Sequence, residues 1–194
     1  MTIDGDGEIW FAIYEFDRMG RVDPATGKVE EFPVPLKWNG HIGPRKVDHD
    51  SNGDVWVGLH GAGKLMKIDH KTTKMTIYTP PSEHAGVYGI AGDLKSNVIW
   101  VAEDMLDKIA RFDPKTETFA EFPLPYAETD IRRMEVDINN PNRVRYGGVT
   151  SNRIGYIELL DGNGKQKEET EIRRGPWPRK RHALGAAAPL PHSS

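Results

Sequence analysis

Cysteine is missing from all 194 residues, which excludes disulfide staples, thiolate metal ligands and a thiol nucleophile together. No apolar run approaches the roughly eighteen residues that a membrane-spanning helix needs. The N-terminus has no basic segment followed by an apolar core, so no signal peptide is expected in this chain. An excess of charge of either sign is also lacking. The 26 basic and 29 acidic side chains leave a net charge of -3, and the mean hydropathy is -0.60. Such a balance gives no electrostatic reason to expect nucleic acid as a partner. No membrane partner is expected either, and nothing in these totals assigns a compartment.

What is present is a repeat. Aligning the chain on an aromatic anchor puts Trp10, Trp56, Trp100 and Arg145 in one column, with steps of 46, 44 and 45 residues. Thirteen residues after each anchor stands an acid: Asp23, Asp69, Asp113 and Glu158. A period of about 45 residues signals a repeat architecture. In the second copy Arg45 to Asp50, Val55 to Leu59, Lys64 to Asp69 and Met75 to Thr79 are short, alternating and separated by turn residues. They read as four strands. Four-stranded units in tandem are the blades of a β-propeller, whose radial closure protects its edges.

The expected fold is therefore all-β. Blades are placed at 1–35, 43–81, 86–125 and 130–160, with a disordered tail over 161–194, where alternation stops. Pro33 and Pro35, Pro80 and Pro81, and Pro123 and Pro125 close the outer strands, as suits residues that cannot donate to a ladder. Matching Asp4 to Asp50 sets Met1 opposite Val47, inside the innermost strand. Four copies stand at the lower limit of the roughly four to eight blades that close a ring. Upstream blades, or self-association in their place, are thus expected.

Asn52-Gly53-Asp54-Val55-Trp56-Val57, Glu31-Phe32-Pro33-Val34-Pro35, Glu121-Phe122-Pro123-Leu124-Pro125 and Asn152-Arg153-Ile154-Gly155-Tyr156-Ile157 resemble blades of the virginiamycin B lyase (streptogramin lyase) family. The resemblance covers roughly residues 1–160. It implies a seven-bladed propeller of which this chain holds the C-terminal blades. It also implies metal-assisted elimination at the ester of a cyclic depsipeptide antibiotic, with Mg²⁺ and with His and Glu residues on the channel face. Such chemistry takes a base for the proton beside a carbonyl and a cation for the developing enolate. Where the family has a catalytic His after Pro, before an innermost strand, this chain has Arg45, Tyr88 and Arg132. The strand-end Glu is kept as Glu103 but is Ile13, Leu59 and Gly148 in the other copies.

Two motifs are read as turns. Gly58 to Lys64 fits the first seven places of a phosphate-binding loop, but Leu65 stands at the eighth and a strand follows in place of a helix. Asp48, Asp50, Asn52 and Gly53 open like a calcium loop, but Leu59 occupies the place of its bidentate Glu. The Trp column is expected to pack between blades and the Asp column to hold turns.

The candidate site gathers residues at matching strand ends. Arg45, Tyr88 and Arg132 would bind a small, anionic molecule through the planar donor fork of arginine. His60 and Glu103 are the candidates for base and, in the case of Glu103, for a Mg²⁺ ligand. Two further readings stand beside this one: an active lyase whose catalytic His and Glu lie in other blades, and a propeller that binds protein without catalysis.

Overall fold

The computed structural model describes residues 1–160 and 165–166. The expected tail disorder falls outside them, apart from the short strand at 165–166. The chain forms four antiparallel four-stranded sheets, each built of strands consecutive in sequence. The first blade contains β1 (Thr2–Ile3), β2 (Ile9–Ile13), β3 (Arg18–Val22) and β4 (Val29–Pro33). The second contains β5 (Pro44–His49), β6 (Val55–Leu59), β7 (Lys64–Ile68) and β8 (Met75–Tyr78). The third is β9 (Val87–Asp93), β10 (Val98–Glu103), β11 (Lys108–Asp113) and β12 (Thr118–Pro123). The fourth is β13 (Ile131–Asp137), β14 (Asn140–Gly148), β15 (Arg153–Leu160) and β16 (Lys165–Gln166).

Packing runs from blade to blade in chain order, with one apolar layer between each neighbouring pair. Trp10 and Met19 of the first blade meet Val55, Val57, Leu59, Met66 and Ile68 of the second. Trp56 and Leu65 meet Ile99, Val101, Ala110 and Phe112 of the third. Trp100, Ala102 and Ile109 meet Met134, Val144 and Tyr146 of the fourth. Strand alternation sends one set of side chains to each face, so every inner blade is apolar on both faces. The three tryptophans are completely or almost completely buried. On the first blade Ile9, Phe11 and Ile13 occupy the register of Val55, Val57 and Leu59, yet they are only half-buried. Beside them Ile3 and Val29 are 57% and 56% exposed.

An aspartate locks each of the first two tryptophans to the turn that precedes its strand. The Trp10 indole N–H donates to Asp4 at 2.7 Å and that of Trp56 to Asp50 at 2.9 Å. Asp50 also accepts the backbone N–H groups of Asn52 and Asp54, so the calcium-like segment is a strand turn organised around its carboxylate. In the fourth blade Arg145, standing in the tryptophan column, donates two hydrogen bonds to Asp137, at 3.0 and 2.6 Å. The third blade differs because its turn is one residue longer. Asp93 accepts from Lys95 and Ser96, and the Trp100 N–H is left without a partner.

The glycines of the Gly58–Lys64 segment serve packing. A Cβ at Gly58 would stand 2.6 Å from the Val87 carbonyl oxygen, and one at Gly61 would run into that of His41. These positions are glycine because neighbouring backbone passes directly over them. Lys64 opens β7, so no helix N-terminus follows to receive a phosphate.

Candidate functional site

The candidate residues lie at one end of the blades, where innermost strands begin and second strands finish. Arg45 is the second residue of β5, Tyr88 of β9 and Arg132 of β13. His60 follows β6 directly, and its N–H donates to the Gly43 carbonyl at 2.9 Å. Equivalent register thus brings four residues from three blades together around the Tyr88 ring. The Arg45 guanidinium carbon is 5.2 Å from the ring centre and that of Arg132 is 5.7 Å. The His60 ring meets Tyr88 edge-on, with centres 5.2 Å apart.

Two residues missed in the sequence belong to this group. Tyr14, in a short 3-10 turn after β2, lies flat against Arg45, whose guanidinium carbon is 3.5 Å from the ring centre. Asp104, in the matching turn after β10, places a carboxylate oxygen 3.2 Å from His60 Nε2. Tyr14, His60 and Asp104 each stand four residues after a column tryptophan, a shared register that could have identified them. Around the mouth the order is therefore Tyr14, Arg45, Tyr88, Arg132: aromatic and guanidinium groups alternate across four blades, each pair within cation–π range of about 6 Å.

The two arginines are not equivalent. Arg132 is exposed and forms a two-point ion pair with Asp130, at 2.9 and 2.8 Å, which raises its pKa further. Arg45 has no carboxylate within ion-pair distance among the described residues, and its Nε is buried without a hydrogen-bond partner. Its two tyrosine neighbours hold the cation without neutralising it.

Backbone straps fix the mouth. Asp17 and Asp107 close the two 3-10 turns in the left-handed conformation, each with φ of 51°. Asp17 accepts the Gly43 N–H at 2.9 Å, and Asp107 accepts those of Glu128 and Thr129 at 2.8 and 2.6 Å. Each acid thereby ties a turn of one blade to the chain entering the next. His41 Nε2 donates to the Tyr14 carbonyl at 2.6 Å, and its ring meets Tyr14 edge-on at 4.3 Å. The Tyr14 platform is braced from behind.

Glu103 is not brought to this group. It ends β10 completely buried, opposite Lys108, and neither carboxylate oxygen has a hydrogen-bond partner. Burial, reinforced by the charge of Glu121, pushes its pKa up to about 7. Glu121 is held below the ordinary range although burial works against it, because Lys108 and Ser82 donate to its carboxylate. No closed donor set for Mg²⁺ is assembled among the described residues. Among the described residues no three His, Asp or Glu side chains gather closely enough to hold a metal, and His60 with Asp104 supplies only two ligands.

Four consecutive four-stranded antiparallel blades with interblade cores define a β-propeller. The model of the virginiamycin B lyase family matches residues 1–171, and the chain belongs to that family. A solved streptogramin B lyase is 26% identical with a TM-score of 0.73, covering 86% of this chain and 52% of its own. Virginiamycin B lyase from Staphylococcus aureus is 21% identical with a TM-score of 0.73, covering 87% of this chain and 53% of its own. Hydrazine synthase from Kuenenia stuttgartiensis shares the fold at 15% identity and a TM-score of 0.69, over 87% of this chain and 47% of its own. No curated protein matches the chain in sequence. The chain spans about half the length of the lyases it resembles.

Proposed function

We propose that this chain binds a small anionic ligand at the strand-end mouth through Arg45, with Tyr88, His60 and Arg132 around it, and does not itself open streptogramin B rings. The observation that carries the reading is the unneutralised Arg45 cation, stacked on Tyr14 beside Tyr88. An anion at the Nη edge of this guanidinium would supply the charge-assisted hydrogen bonds that no carboxylate among the described residues supplies. The elimination needs a proton acceptor, and arginine stays protonated at any working pH. The places where the resemblance expects His hold Arg45, Tyr88 and Arg132. His60 leans on Asp104, and Glu103 is completely buried at the end of β10.

The test incubates purified chain with a streptogramin B antibiotic and Mg²⁺ and follows ring opening by mass spectrometry, beside calorimetric titration with small anions. The expected result is saturable anion binding that Arg45→Ala abolishes, with no ring opening above the protein-free control. Magnesium-dependent turnover abolished by His60→Ala would overturn the reading.

The half-covered face of the first blade supports a second proposal, that it is an interface closed by further blades or by another copy of the chain. Apolar sheet faces of this kind mark interaction surfaces. Light scattering is expected to show concentration-dependent association, and a monodisperse monomer at all concentrations would contradict it.

A further inference from the structure

We infer that the mouth selects a planar monocarboxylate, one conjugated to a flat ring, over tetrahedral oxyanions, and that Tyr14 is the residue that sets this preference. The inference rests on the anion-binding reading above and specifies its ligand class.

Arg45 lies directly against the Tyr14 ring. A guanidinium carbon 3.5 Å above a ring centre is at van der Waals contact, which two flat groups reach only when nearly parallel. One face of the cation is therefore closed by Tyr14, and its free N–H edges lie in a plane parallel to that ring. Two parallel N–H donors on such an edge match the two oxygens of a carboxylate lying in the same plane. A ring conjugated to that carboxylate continues the plane and stays parallel to Tyr14. A phosphate has no plane of its own, so only part of its oxygen set can meet the fork.

Charge points the same way. Asp130 neutralises Arg132 through two hydrogen bonds, whereas Arg45 has no carboxylate within ion-pair distance among the described residues. Of the two arginines Arg45 is the one without a paired carboxylate, a match for one negative charge. Phosphate groups near neutral pH carry about 1.5 to 2 charges, more than one guanidinium offsets. Arg45 Nε is closed off by protein, so a ligand meets the terminal Nη edge of the guanidinium. His41, braced between the Tyr14 carbonyl and Asp17, keeps the platform in place.

The experiment titrates the full chain with benzoate and, separately, with inorganic phosphate at matched ionic strength, in a buffer free of carboxylate and phosphate. Benzoate is expected to bind about tenfold more tightly than phosphate, the difference that losing one charge-assisted hydrogen bond makes. Arg45→Lys keeps the charge without the planar fork and is expected to erase the preference while leaving phosphate binding. Tyr14→Leu is expected to weaken benzoate severalfold more than phosphate, and Tyr14→Phe, which keeps the ring, to restore the difference. Circular dichroism and melting of each variant show that it is folded before it is scored. Equal or tighter binding of phosphate, still dependent on Arg45, overturns the carboxylate preference and leaves the anion site standing. Saturable binding of neither anion overturns the anion site itself.

Discussion

The two ends of the strands use their polar groups differently. At the end where second strands begin, the carboxylates are spent on the fold. Asp4 and Asp50 hold tryptophans, Asp137 holds Arg145, and Asp23 and Asp69 gather the backbone and hydroxyl groups of their own turns. The turn bonds draw Asp23 and Asp69 below the ordinary carboxylate range. At the opposite end polar groups are left over. Arg45 Nε, Asp104 Oδ1 and both oxygens of Glu103 are buried without partners. Unpartnered buried atoms also occur at the first end, at Arg21, Arg111 and Arg143 Nε, so the mouth is set apart by its stacked rings and guanidinium groups. Two guanidinium groups, two tyrosine rings and His60 gather there from four blades, and this convergence separates a binding end from a structural end. Trp100 breaks the symmetry for a local reason, the longer turn that diverts Asp93.

Substitutions at the two ends sharpen this contrast. Trp56→Ala is expected to cost the most, about 3–5 kcal/mol in urea unfolding, because the ring fills the second interblade core and donates to Asp50. Glu103→Gln should go the other way. A carboxyl whose folded pKa is about 7 prefers its protonated form in the native state. Its contribution is therefore fully present below the unfolded value of 4.5 and is lost as pH rises through 7. The variant should be more stable than the parent by about 2–3 kcal/mol at pH 8, and the two should converge near pH 4, as paired unfolding curves would show. A difference independent of pH would remove Glu103 from the set of strained groups. Asp50→Ala deprives three N–H groups of their acceptor and should cost about 2 kcal/mol. Arg45→Ala should change stability by less than about 1 kcal/mol, since no carboxylate among the described residues loses a partner. A loss as large as that of Trp56→Ala would erase the distinction between the ends.

Much of the fold was legible because the blades repeat. The tryptophan column, the prolines closing β4 and β12, and the strand boundaries of the second blade all follow from a period and an alternation that belong to the chain itself. The site was legible in part. Register alone grouped Arg45, Tyr88, Arg132 and His60, because equivalent positions in neighbouring blades converge. Tyr14 and Asp104 escaped attention although they share the register of His60, because an acid and a ring in one column look unrelated until the turn geometry sets them beside His60 and Arg45. Glu103 shows the limit of arguing by column. Strand alternation points the residue after Ala102 toward the second blade, where Val101 and Ile99 also pack, and a functional reading of the strand end overlooked that parity. The difference between Arg45 and Arg132 was likewise hidden, since it turns on where Asp130 lies in space.

Thermal melting with and without excess benzoate, in the parent chain and in Arg45→Ala, decides whether the mouth is the binding end and Arg45 its unspent cation. A rise in melting temperature on adding the anion is expected in the parent and not in the variant, with the two chains melting within a few degrees of each other when unliganded. An anion-induced rise of equal size in Arg45→Ala would contradict the claim.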